Sequence, residues 1–308
     1  MSLTKEIAGR WLAGARGLFL PIALGFLVYS AYRSSAQLMG ILNTLSLPHL
    51  LLAWLFWGGA QWIGPLATLA FAHILDLPLN YRELSLVAIL RIPAKYLPGG
   101  IWQSVARFSA YRQLDISRAD SLVILVAEHL LALSASVMLG SVLLLYLEGS
   151  GFLYGIAVWM LAGSLVLLAV TALGVKKKIE GNGVKAVGGV LMAMLASALF
   201  WMAAAASFYM YWVAIFGLHS GEMFRVVSCY LLAWAAGFVA LFAPQGIGVF
   251  EWVGSHLLPS EWPLSTTAVV FAGFRIVTII ADLTVWSIGF LVSWIYRLDC
   301  APDNPKKK

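Results

Sequence analysis

Apolar residues run through this chain in long uncharged stretches that stop at clusters of lysine, arginine or proline. No Asp, Glu, Lys or Arg occurs in 34–75, 149–175, 186–221 or 226–250. A helix needs roughly 20 apolar residues to cross a bilayer, and each window is long enough. The pattern predicts six full spans, at about 17–33, 48–75, 118–147, 152–174, 187–216 and 264–297. Two apolar pieces remain, 82–115 and 222–263, and each is interrupted by proline and glycine. The expected fold class is therefore an all-α integral membrane protein with a single polytopic membrane domain over 1–308.

Composition agrees. Hydrophobic residues make up 61% of 308 and charged ones only 11%, against about 25% charged in soluble domains. The net charge of +6 does not point to nucleic acid, because the basic residues sit at the ends of apolar segments, where they set topology. Some attraction to anionic headgroups follows as a by-product. Two cysteines, Cys229 and Cys300, make no disulfide framework. Basic residues before the first apolar run resemble a signal peptide. An uncleaved first helix is the expectation, since no small-residue cleavage site precedes the polar loop.

Parity decides how the two interrupted pieces sit. If both enter and leave on one face, as re-entrant hairpins, one side of the membrane holds Lys5, Arg10, Arg16, Arg82, Arg112, Arg118, Lys176, Lys177, Lys178, Lys185, Arg297 and Lys306–Lys308. The other side holds Arg33 and Arg225. Fourteen against two is the asymmetry of a cytoplasmic face, with both termini on it. Making one piece an odd crossing would put the triple lysine or the C-terminal lysines outside, although 223–243 is long enough for a tilted span. Residues 48–147 and 187–297 then form two copies of span, hairpin, span in opposite orientation. The helix at 152–174 supplies the inversion, as in many transporters.

The interruptions match each other. Shifting "AKYLPGGIWQSVARF" (94–108) by 146 residues lays Pro98 on Pro244, Gly100 on Gly246 and Ile101 on Ile247 of "ALFAPQGIGVFEWV" (240–253). Pro98, Gly99, Gly100 and Gln103 make the first break; Pro244, Gln245, Gly246 and Gly248 make the second. Proline removes a backbone donor and glycine lets the chain turn. The freed backbone groups cannot face lipid. A half-helix starting near either break would aim N–H groups into a cavity and suit an anion; the plain alternative is a tolerated kink.

Intramembrane charges are costly and rarely idle. Arg107, Glu128, Glu251, Arg275 and Asp282 fall inside the apolar segments. They are expected to form a polar seam between the halves, either binding substrate or fastening the bundle by pairing Glu251 or Glu128 with Arg275. Asp282 is seven residues beyond Arg275, on the same face but too far for a direct pair. Arg91 and Lys95 either admit an anionic headgroup or snorkel to the interface. His49, His73 and His129 have no metal-ligand spacing, and no cofactor or metal is expected.

At these residues the chain resembles a family. "YLPGGIWQ", "PQGIGVFE" and Arg275 look like the membrane domain of the lysylphosphatidylglycerol synthases and its stand-alone flippase-like relatives. The resemblance covers about 17–297. Its most specific element is Pro-x-Gly-x-Gly-x-x-Glu, here Pro244, Gly246, Gly248 and Glu251. It implies a bacterial inner-membrane protein that moves a lipid with a bulky polar headgroup between leaflets, without the aminoacyl transfer of the synthases' soluble domain. The Pro-Gly-Gly-Ile-Trp form is similar to relatives encoded with polysaccharide assembly machinery. That shading favours a polyprenyl-phosphate-linked sugar as cargo and envelope-biosynthesis enzymes as partners.

Two rivals remain at this stage. A polyprenyl-phosphate-sugar glycosyltransferase would want acids in its first external loop, and "RSSAQLMGILNTLSLP" has none. A non-transporting subunit of an assembly complex leaves the buried charges unexplained. No nucleotide-binding loop occurs, so coupling is expected through protons, at Glu128 or Glu251, or through a passive gradient.

Overall fold

The computed structural model describes residues 45–97, 101–179, 183–218, 222–240, 243–258 and 263–295, with Tyr29 and Tyr32. Of these, 88% are helical and none is in a strand, so the protein is all-α. The helices are α1 (Leu47–Ile74), α2 (Tyr81–Leu90), α3 (Trp102–Gln113), α4 (Arg118–Glu148), α5 (Phe152–Lys178), α6 (Gly183–Phe216), α7 (Met223–Val239), α8 (Val249–Leu257) and α9 (Leu264–Ile295). Five of them, α1, α4, α5, α6 and α9, are long and apolar enough to cross a membrane. This is a multi-pass membrane protein. The expected span at 17–33 lies outside the described residues except for Tyr29 and Tyr32, as do Pro98, Gly99, Gly100 and residues 180–182.

Local chemistry sets the ends. Asn80 caps α2 reciprocally: its side chain accepts from Glu83 N–H at 3.0 Å, while Glu83 accepts from Asn80 N–H at 3.0 Å. Ser117 caps α4 by accepting from Asp120 N–H at 3.0 Å. Helix α2 stops at Leu90, earlier than the Pro98 break expected for this hairpin. Pro93 has no N–H to donate to Ile89, so the chain tightens into a short 3-10 turn over Ile92–Tyr96. Arg91 and Lys95 therefore do not share a helical face.

The long helices pack in a definite scheme. Helix α1 runs along α6 in the most extensive pairing of the molecule; α4 packs on α5, α6 and α7, and α9 on α1, α2 and α8. The centre is aromatic. Phe208 of α6 stacks on Tyr230 of α7 at 4.7 Å, tilts on Phe271 at 4.7 Å and meets Phe274 edge-on at 5.0 Å. Helix α5 exposes large apolar groups such as Trp159 and Leu173, as a helix facing lipid does. The short α7 is buried along most of its length, from Val226 to Gly237.

Candidate functional site

The turn after α7 holds the second break. Ala243 N–H donates to Ala240 O at 2.8 Å and Gly246 N–H to Ala243 O at 2.9 Å, closing a tight turn after α7. Three of the four residues 245–248 adopt positive φ: Gln245 at 56°, Gly246 at 65° and Gly248 at 86°. Glycine tolerates this freely; Gln245 is the one side chain held there. Helix α8 then begins at Val249, with Glu251 in its first turn.

Glu251 is wholly buried and has two commitments. One carboxylate oxygen accepts from Gly248 N–H at 2.6 Å, and the other accepts from Arg275 Nε of α9 at 2.7 Å. The anion at this half-helix N-terminus is thus the protein's own carboxylate, not an open position for a phosphate. Arg275 also donates to Gln245 O at 3.2 Å and lies 5.4 Å from the Phe250 ring centroid. Its side chain remains 28% exposed. Two of the guanidinium nitrogens, Nε and one terminal nitrogen, thus hold the break.

Two turns further along α9, Asp282 is wholly buried and collects the short turn that follows α2. Lys95 Nζ forms an ion pair with it, Tyr96 O–H donates to the same carboxylate oxygen, and Trp57 Nε1–H of α1 donates to the other at 3.0 Å. The Lys95 ammonium lies 5.6 Å from the Trp57 ring and 5.3 Å from the Tyr96 ring, within cation–π range. Lys95 neither snorkels to the interface nor stands free for a headgroup. Arg91 is half-buried and takes no part in this cluster.

The third pair lies elsewhere. Arg107 of α3 meets Glu128 of α4 at 2.6 Å and donates to Tyr111 O–H oxygen at 2.6 Å and to Thr68 of α1 at 3.2 Å. Thr68 in turn donates to Glu128. The Arg107 Nε is buried without a partner among the described residues. Thr68 is eleven residues beyond Trp57 on α1, about 16 Å at a rise of ~1.5 Å per residue. The expected seam is therefore three separate ion pairs. Lys95–Asp282 joins the two halves of the chain, whereas Arg107–Glu128 and Glu251–Arg275 each stay within one.

Helix α9 nonetheless holds both the second break, through Arg275, and the short turn that carries Lys95 and Tyr96, through Asp282. Gln103, in the first turn of α3, is half-buried. Sequence reasoning missed Trp57, Tyr96, Thr68 and Tyr111, which hold these charges in place. Pro93 was a usable signal for the position of Lys95; the aromatic and hydroxyl partners carry none, since such residues are common in membrane helices. No model of a known protein family matches the chain, and no curated protein matches it.

Proposed function

We propose that this protein moves a lipid with an anionic or phosphate-linked headgroup between the leaflets of a bacterial inner membrane by alternating access. The architecture behind this reading has six spans and two re-entrant hairpins in inverted repeats, with both termini cytoplasmic. The lengths fit: α7 has 17 residues, about 26 Å, against the ~30 Å of a hydrocarbon core. Packing fits as well, because the contacts of α4 with α6 and α7 have counterparts in those of α9 with α1 and α2. Helices α4 and α9 start at 118 and 264, 146 residues apart, the same offset that superposes the two breaks.

The observation that carries the reading is Arg275, an intramembrane cation beside a broken helix, bound on one side and 28% exposed. A phosphate can take the place of the Glu251 carboxylate on such a fork. That exchange would release Glu251 and with it the start of α8, coupling headgroup capture to movement of the second hairpin. The chain's likeness to flippase-like membrane domains at the break motifs and Arg275 supports the same conclusion and suggests a phospholipid or a polyprenyl-phosphate-linked sugar as cargo.

Arg275→Lys is the direct test. Lysine keeps the charge but loses the planar fork, so headgroup translocation in proteoliposomes should fall at least tenfold at near-normal thermal stability. Full activity of this variant removes phosphate recognition by Arg275. Topology has its own test. Single cysteines at positions 115 and 177 should label from the cytoplasmic side and one at 261 from outside, in a background lacking Cys300. Native Cys229 is buried and can stay. External labelling at 115 would exclude the inverted arrangement.

A further inference from the structure

His129 is the neighbour of Glu128 on α4, yet it stands outside all three intramembrane ion pairs. Its Nδ1 lies 2.6 Å from Leu125 O and its Nε2 lies 3.2 Å from Ser104 Oγ. A carbonyl oxygen only accepts, so Nδ1 carries the hydrogen. In the neutral ring Nε2 is then the acceptor, and the Ser104 hydroxyl donates to it. The ring also stacks on Phe238 of α7, with centroids 5.8 Å apart. The basic lone pair thus points at α3, which follows the first break, and the ring rests on α7, which leads into the second.

The surrounding charges leave this group as the natural proton acceptor. On α3, Ser104 faces it and Arg107 lies one turn on, matched in charge by Glu128 of its own helix. From α7 it meets Phe238, itself stacked on Trp234 at 5.1 Å, and neither ionises. Arg225 of α7 is thirteen residues away and paired with Glu148. Glu128, Glu251 and Asp282 are each bound to a cation. Position also matters: His129 is the twelfth residue of α4, and Arg275 is the twelfth of α9. Where the second half carries a permanent cation, the first carries one that exists only when protonated.

We propose that His129 is the proton-binding site that couples lipid movement to the transmembrane proton gradient, a switchable counterpart of Arg275. The proposal rests on the transport reading. A proton from water adds to Nε2, Ser104 turns from donor to acceptor, and the new cation favours an anionic headgroup beside the first hairpin; on the other side of the membrane the proton returns to water.

Two measurements on the full chain test it. In nanodiscs, deuterium exchange of 102–113, corrected for intrinsic exchange, should change in a single step between pH 5.5 and 8. The step should vanish in His129→Gln and in His129→Arg, the latter fixed in the acid-like pattern. In proteoliposomes, a tenfold proton gradient should speed headgroup translocation several-fold in the native protein and not in His129→Gln. A step absent from the native protein, or unchanged in both His129 variants, overturns the proton site. A normal step with translocation indifferent to the gradient overturns the coupling alone. A normal step with no translocation under any condition overturns the transport reading, and the coupling with it, while the proton site stands.

Discussion

Gly246→Leu is expected to abolish headgroup translocation and to destabilise the protein by about 2–5 kcal/mol, summing a strained backbone and an overpacked contact. Gly246 has φ of 65°, and a Cβ placed on it would lie 2.8 Å from Gly237 Cα and 2.9 Å from Gly237 C and O. What it meets is the backbone of α7, which has no rotamer to adopt. Even Gly246→Ala should therefore cost much of the same amount, whereas a Cβ at Gly59 of α1 meets nothing within 4 Å and Gly59→Ala should be silent. Thermal unfolding in detergent and a translocation assay check both parts. Native activity in Gly246→Leu would mean that the second break is an ordinary kink.

The second large effect concerns the Glu251–Arg275 pair. Arg275→Gln strands a carboxylate that is wholly buried, and Glu251→Gln strands a guanidinium that keeps 28% exposure. Removing one partner of a buried pair costs about 3–5 kcal/mol. Arg275→Gln should show the larger loss, because its abandoned partner has no water to turn to. The double variant Glu251→Gln, Arg275→Gln leaves no charge stranded and should recover most of the stability of either single change. On the proposed lipid-transport reading activity should not recover, since the guanidinium proposed to take up phosphate is gone. A stable, fully active double variant would reduce the pair to a fastener.

How far the sequence reaches is uneven, and the reasons are physical. All five described spans begin and end within about four residues of the expected positions, because uncharged runs of known minimum length are legible one residue at a time. The ninth helix was equally clear at its start, Leu264. Pairing was less legible. Lys95 and Asp282 are 187 residues apart, and their meeting depends on how α9 packs against the first hairpin, which no local spacing encodes. Either Glu251 or Glu128 is expected from the sequence as the partner of Arg275, and the structure pairs it with Glu251; Glu128 instead takes Arg107, a pairing not expected although only the turn between α3 and α4 separates them. Gly246 read as a turn glycine, but its close approach to Gly237 became visible only in three dimensions.

The three intramembrane pairs also have an electrical consequence. Lys95 with Asp282, Arg107 with Glu128, and Arg275 with Glu251 set three positive charges against three negative ones. A membrane voltage does work of about 2.3 kcal/mol per elementary charge moved through 100 mV. Rearrangements that carry each pair as a unit move no net charge, so resting potential neither drives nor opposes them. A current recorded while these three pairs stay intact would then count the charge of the ions that cross, not the motion of the pairs themselves.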